Sequence, residues 1–475
     1  MKIKLIIPLA ICLFFGILPL SAQVGPSVTY EKFMQAAPPL TQVGVLETDS
    51  SLRAGRWSIG CECLDRDMAE FSAYKQYVGQ LGVGYARIQS GWAKTEKEKG
   101  KYDFAWLDAI VDGLLEQKVQ PWMCLCYGNP LYGDGNTLGN AIPADLGPWK
   151  KYVQAVIEHF KGRVHCYEVW NEPNISVNAG HPERYVKLLK ATSPLIRKAD
   201  PDARIAAFAL ASLDYAFLDE ALRDLKPGIF EVVTLHKYFE NPDEGDYDFR
   251  LLTERVHAFD PSVKVVMGES GCPSELGWAH ALKFQEWTEY SQAKVILRRM
   301  ACDFVLGQPS SIFTMVDLVY PDFRQSFGLL CTSLKGKVIY KKPSFYAVRN
   351  MVNLLPDTVE PAEVSFTSSL KEPIKVTGLQ KDGKRIGAML YLSGNKPSSA
   401  LGWQQARIAI EGLKLENPVL IEPITGRVFT LDRYHYSPNN PARTYSLPVW
   451  DSPVFLLERS AVLSTSTNTE WHHEW

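Results

Sequence analysis

The sequence predicts a (β/α)8 TIM barrel followed by a C-terminal β-sandwich, and three observations carry that prediction. Over residues 56–350, short apolar runs alternate with amphipathic segments. Many of those runs are nearly continuous in apolar residues, as strands covered by helices on both faces must be. From about residue 357 the texture changes to short strand-like runs set between Gly, Pro, Asn and Asp, the pattern of an all-β unit.

Eight strand-like runs are read in order: Trp57–Leu64, Tyr85–Gln89, Gln120–Tyr127, His165–Trp170, Arg204–Ala209, Glu231–His236, Lys264–Gly268 and Ser310–Val316. Helical periodicity separates them at Asp67–Leu81, Phe104–Gln117, Pro148–Phe160, Pro182–Ala199, Tyr215–Leu225, Phe249–Phe259 and Thr288–Leu306. Eight β units with intervening helices match a closed barrel. A doubly wound open sheet would need a glycine-rich turn after the first strand, and Cys61-Glu62-Cys63-Leu64-Asp65 is not one. Beyond the barrel, runs such as Arg385–Leu392, Ala406–Ile410 and Val454–Leu457 build the sandwich, assigned to residues 351–460. Residues 23–55 form an extension whose one strand candidate, Gln42–Glu47, is a candidate to pair with the sandwich. Residues 461–475 read as a flexible tail that His472 and His473 decorate rather than a metal site.

Lys2 and Lys4 precede an apolar run from Leu5 to Leu20, and Leu20-Ser21-Ala22 ends in small residues. Residues 1–22 therefore read as a cleaved secretory signal peptide, and the protein is expected in the periplasm or outside the cell. Pro8 and Pro19 make the run a poor membrane span, and Cys12 lies inside it rather than at its end, so no lipid-anchored cysteine is indicated. Lys+Arg number 51 against 53 Asp+Glu, with no basic run, so nucleic acid is not an expected partner. Eight cysteines follow the leader, and an even number in an exported chain invites disulfides. Six of them fall in apolar runs, so buried free thiols are expected. The i, i+2 spacing of Cys61/Cys63 and Cys124/Cys126 places each pair on one strand face and is not zinc spacing. No metal or cofactor is expected.

The sharpest chemical signal is Tyr167-Glu168-Val169-Trp170-Asn171-Glu172-Pro173-Asn174, closing the fourth strand. Side chains just beyond barrel strand C-termini form the active site, so Glu172 and Asn171 are expected there. The second is Val265-Val266-Met267-Gly268-Glu269-Ser270-Gly271, closing the seventh strand. The two carboxylates then face each other across the barrel mouth. Glycosidic bond cleavage needs this pair: one carboxyl protonates the leaving oxygen while the other attacks the anomeric carbon.

On these motifs the chain resembles the clan A retaining glycoside hydrolases, whose barrels carry the acid/base Glu after strand four, in Asn-Glu-Pro, and the nucleophile Glu after strand seven. Barrel plus C-terminal sandwich looks most like family 39, the β-xylosidase and α-iduronidase group. The resemblance implies Glu172 as acid/base, Glu269 as nucleophile and Asn171 on the C2 substituent of the sugar. It also implies that His236 and Tyr238, in His236-Lys237-Tyr238, orient the nucleophile and that Arg87 contacts it. A salt bridge for Arg87 and core packing for His236 and Tyr238 are the plainer readings. The resemblance and the leader together imply an exported retaining β-glycosidase acting on oligo- or polysaccharides. Its expected partner is a carbohydrate, and nothing in the sequence speaks to oligomeric state.

Several positions depart from the clan pattern. No Trp ends strand eight in Ile312-Phe313-Thr314-Met315-Val316-Asp317, so Tyr320, Phe323 or a residue of another loop is the candidate replacement. Glu62, with Asp65 behind it, either grips sugar hydroxyls or pairs with Arg66 or Arg87. Trp278, in a long loop with Glu275 and Trp287, is a candidate roof. Trp92 and Asn129 stand at analogous positions above strands two and three, and each aromatic is platform or packing. Metal-dependent hydrolysis on the same barrel usually starts from paired His on strand one, which this chain lacks. The alternative function is a non-catalytic carbohydrate-binding barrel or degenerate relative, against which the intact Glu pair argues.

Overall fold

The structure is a computed structural model that describes residues 30–133, 140–432, 444–462 and 465–466. Residues 1–22, expected to be a signal peptide, with Cys12, and His472 and His473 of the expected tail, lie outside the described residues.

Eight parallel strands close into a barrel: β1 (Ala54–Gly60), β2 (Val83–Gln89), β3 (Gln120–Leu125), β4 (Cys166–Val169), β5 (Arg204–Ala211), β6 (Val232–His236), β7 (Lys264–Ser270) and β8 (Ser310–Ile312). Closure is made by β1, in which Ser58 lies opposite both Tyr85 of β2 and Ser311 of β8. Helices wrap the outside, each laying an apolar stripe on the strands. Helix Leu146–Phe160 buries Trp149, Tyr152, Val153, Val156, Ile157 and Phe160 at three- and four-residue spacing, and Asp145 caps it by accepting from the Gly147 N–H.

Several strands end sooner than the sequence predicts. β1 stops at Gly60 rather than Leu64, β3 at Leu125 rather than Tyr127, and β8 at Ile312 rather than Val316. Ladder pairing ceases where the chain must turn to present side chains at the mouth. Cys63 takes a left-handed φ of 64°, so Cys61 and Cys63 do not share a strand face. All eight described cysteines are free, and all but the half-buried Cys166 are buried.

The C-terminal unit is two antiparallel sheets around a second apolar core that includes Leu390, Ile408, Leu420 and Leu456. The larger sheet runs Val359–Ala362, Ile374–Lys381, Lys384–Leu392, Val454–Glu458, Pro418–Glu422, Arg427–Thr430, Thr41–Leu46 and Thr465–Ser466. The N-terminal strand Thr41–Leu46 thus pairs with Arg427–Thr430, Thr41 opposite Thr430. The smaller sheet is Phe366–Ser368, Gln404–Ile410 and Thr444–Val449.

Helix Glu289–Leu306 lies between barrel and sandwich, and its polar residues Lys294, Arg298, Arg299 and Asp303 are buried. Each finds a partner, as buried charge requires: Lys294 pairs with Asp451, Arg298 with Asp243, and Arg299 with Asp303. Among the described residues, no helix is long and apolar enough to cross a membrane.

Candidate active site

The chain leaves β4 through a strained turn. Trp170 and Glu172 both have positive φ, 70° and 51°, a conformation costly for residues with a Cβ and held only where the surroundings enforce it. The Trp170 ring is buried edge-on to Trp149 and Tyr127. Asn174 clamps the turn to β5, accepting from the Ala211 N–H at 2.9 Å and donating to the Ala211 carbonyl at 3.0 Å. The turn aims Glu172 into the mouth, its side chain one-quarter exposed.

Glu269, near the end of β7, lies across from it. His236, ending β6, sits between the two, its Nδ1 at 3.0 Å from Glu172 Oε1 and 3.4 Å from Glu269 Oε1. One oxygen of each carboxylate and a His236 nitrogen fall within 4.8 Å of one another. Gly268 makes this possible, because a Cβ there would lie 3.1 Å from the His236 ring. Two carboxylates and an imidazole are donors a divalent ion would accept. Here, however, both oxygens of Glu269 already receive protein hydrogen bonds, from Arg87 on Oε1 and from Tyr238 on Oε2.

Beneath the pair sits Arg87 of β2, fully buried, which binds four side chains. Its Nη1 donates to Glu269 Oε1 at 2.6 Å and to Glu62 Oε1 at 3.2 Å. Its Nη2 donates to Asn171 Oδ1 at 2.8 Å and lies 2.6 Å from Glu168 Oε2, which also accepts from Nε at 2.7 Å. Tyr238 donates its phenol proton to Glu269 Oε2 at 2.9 Å. Asn171 in turn donates to the Tyr127 hydroxyl at 2.9 Å, on the wall where Arg66 stacks over Tyr127 and donates to Gln89.

These contacts set the protonation pattern. Burial pushes Glu172 up, but the hydrogen bond and charge of His236, with Arg87 and His280, hold it below the usual carboxylate range. Burial pushes His236 down, but Glu269 and Glu172 outweigh that and raise it. Burial together with Glu269 and Glu172 pushes the Tyr238 phenol far up, so it remains a donor. Burial and the nearby Glu269 push Glu62 up to about 7.

The structure thus brings Glu172, Glu269, Asn171, Arg87, His236, Tyr238 and Glu62 together, and sets the remaining candidates apart from them. His236 lies nearer Glu172 than Glu269, so it bridges the two rather than contacting Glu269 alone. The Glu62 side chain is only 1% exposed and pairs with Arg87, which leaves it no face for sugar hydroxyls. Trp92 is fully buried, stacked between Tyr132 and Tyr152 with its indole N–H on Glu96, and offers no platform. Asn129 is buried as well, and its amide braces the Trp92 and Glu96 carbonyls. Trp287 is buried. Trp278 remains 60% exposed beside Phe323, which stacks on Tyr320 at 4.6 Å.

Glu168 and Thr234 escaped the sequence reading. Glu168 is fully buried inside β4 and receives Arg87 and the Thr234 hydroxyl. The signal was present: an acidic residue inside an apolar barrel strand must have a partner. A cavity of about 970 Å³ opens at the opposite mouth around Trp122, Arg204 and Lys264, away from these carboxylates.

Residues 74–253 match the model of the glycosyl hydrolases family 39. A β-xylosidase of Caldicellulosiruptor saccharolyticus is 28% identical over 185 residues, which span 34% of this chain and only 37% of that relative. A family 39 glycoside hydrolase from the gut symbiont Bacteroides cellulosilyticus WH2 shares the fold at a TM-score of 0.68 and 17% identity, over 87% of this chain and 83% of that one. The family 39 enzyme of Xanthomonas axonopodis pv. citri does so at 0.60 and 16%, over 93% and 99%. Residues 74–253 thus match the family 39 model, and the chain as a whole shares its fold with these two solved structures.

Proposed function

We propose that this chain is an exported β-glycosidase that works by retaining double displacement, with Glu172 as acid/base and Glu269 as nucleophile. The observation that carries the reading is the close approach of the two carboxylates, oxygens within 4.8 Å and bridged by His236. Retaining enzymes hold their carboxyl groups about 5–5.5 Å apart, whereas inverting ones leave room for a water at roughly 6.5–9.5 Å.

Glu172 takes the proton it shares with His236 and gives it to the glycosidic oxygen as Glu269 Oε2 or Oε1 attacks the anomeric carbon, and the aglycone leaves. Glu172 then takes a proton from water, which attacks the glycosyl-enzyme and frees the sugar with Glu269 restored. Arg87 and Tyr238 fix the Glu269 carboxylate from two sides, and Asn171, itself held by Arg87, faces the sugar C2 substituent. In the free site the proton shared by Glu172 and His236 rests toward the imidazole, since one group is lowered and the other raised. The β-xylosidase relative makes a β-xyloside the first substrate to offer.

The test is hydrolysis of a panel of aryl α- and β-glycosides and plant oligosaccharides by wild type, Glu269→Ala and Glu172→Ala. We expect turnover of a β-glycoside with retained configuration, lost in Glu269→Ala and restored by azide as the α-glycosyl azide. Inverted product from wild type, or no rescue and no product with the protein folded, overturns the assignment.

A further inference from the structure

Three buried carboxylates crowd one guanidinium. Glu168 takes two nitrogens of Arg87 and the Thr234 hydroxyl. Glu269 takes Nη1 at 2.6 Å and the Tyr238 hydroxyl. Glu62 is left with a weaker set: its own backbone N–H, a share of Nη1 at 3.2 Å, and Thr314 Oγ1 at 3.4 Å. Thr314 has a single hydroxyl proton, and it is directed to the Gly60 carbonyl at 2.8 Å. That threonine therefore has no proton for a Glu62 carboxylate, but it has a lone pair for a Glu62 carboxylic acid.

The backbone is shaped for this buried group, because a Cβ at Gly60 would lie 2.2 Å from Glu62 Oε2. Among the described residues, Arg87 is the cation that contacts Glu62; Glu269, Tyr238, Tyr74, Cys61 and Cys63 also surround it, with Arg66 reaching Cys63 and His236 reaching Glu269 rather than Glu62.

We propose that Glu62 is a positioning residue that works as a neutral acid: by carrying a proton it leaves Arg87 Nη1 to Glu269, and its ionisation disarms the site on the alkaline side. The inference rests on Glu269 being the nucleophile. Once charged, Glu62 competes for the same nitrogen and repels Glu269, so the nucleophile loses its orientation. Its elevation to about 7 places that event near neutrality.

Two measurements test it. The first needs no turnover: pH-difference infrared spectroscopy of wild type against Glu62→Gln. We expect a carboxylic acid band that titrates near pH 7, is absent from Glu62→Gln, and moves in frequency and midpoint in Glu62→Asp, which keeps the measurement open if the amide variant does not fold. The second uses 2,4-dinitrophenyl β-xyloside, whose leaving group needs no proton from Glu172. Wild-type kcat/KM should fall on the alkaline side, and Glu62→Gln should move that fall upward by about one pH unit or more. No titrating band near neutrality, or superimposable profiles in the two proteins, overturns the proposal. Absence of any aryl glycoside turnover with the infrared band present would sink the glycosidase reading and leave the neutral Glu62 standing.

Discussion

Arg87 Nη1 lies 2.6 Å from Glu269 Oε1, and the rest of the same guanidinium is committed to Glu168 and Asn171. One cation thus ties the ends of β2, β4 and β7 to a single point beneath the mouth. Removing it takes from Glu168 and Glu269 the guanidinium that each is paired with inside the barrel. Breaking a buried pair from one side costs about 3–5 kcal/mol. Arg87→Met should lose that much in urea unfolding and all measurable turnover; a loss under about 1 kcal/mol would show the network is not held by this residue.

Tyr238 donates to Glu269 Oε2 at 2.9 Å, and its ring packs edge-on against Phe313 and Phe327. Tyr238→Phe keeps the packing and deletes one hydrogen bond to a charged group, a contribution of about 1.5–3 kcal/mol. If that contribution is made in the transition state, kcat/KM drops roughly 10–100-fold. Thermal stability should stay close to wild type, and a variant that melts early would assign the phenol to folding instead.

The Glu172–His236 contact gives stability a pH window. His236 is raised in the folded state, so its share is complete below the unfolded value of about 6.5 and is lost as pH climbs through the folded value. Glu172 is lowered, so its share is complete above about 4.3 and is lost as pH falls through the folded value. Melting curves of wild type and His236→Asn should therefore differ most between those limits and converge on both sides. A difference independent of pH would mean that the imidazole acts through packing alone.

Two tryptophans at the mouth should behave in opposite ways. Trp92 is fully buried among Tyr132, Trp149 and Tyr152, so Trp92→Ala should cost about 3–5 kcal/mol of stability. Trp278 is 60% exposed, so Trp278→Ala should stay within about 0.5 kcal/mol while raising KM for oligosaccharides more than for aryl glycosides. Equal KM changes on both substrates would remove Trp278 from sugar binding.

The barrel was legible because its strands are buried on both faces, which forces near-continuous apolar runs, and its helices lay a periodic stripe on them. Glu172 and Glu269 were legible because strand C-termini converge at one mouth whatever the loops do. The exact strand ends were not, since Cys61 to Leu64 is apolar enough to continue β1, and only the turn toward Arg87 stops it at Gly60. Nor was the division of labour among acidic and aromatic residues at the mouth. Sequence supplies Glu62, Glu168, Trp92 and Trp278 as residue types, but burial and partnership depend on elements far apart in the chain. Arg87 is 81 residues from Glu168 and 182 from Glu269, and Trp92 is closed in by helix Leu146–Phe160. Local pattern names the groups that carry charge and rings. Which of them share one guanidinium, and which face solvent, is decided by three-dimensional packing, because desolvation and hydrogen bonding act through space and not along the chain.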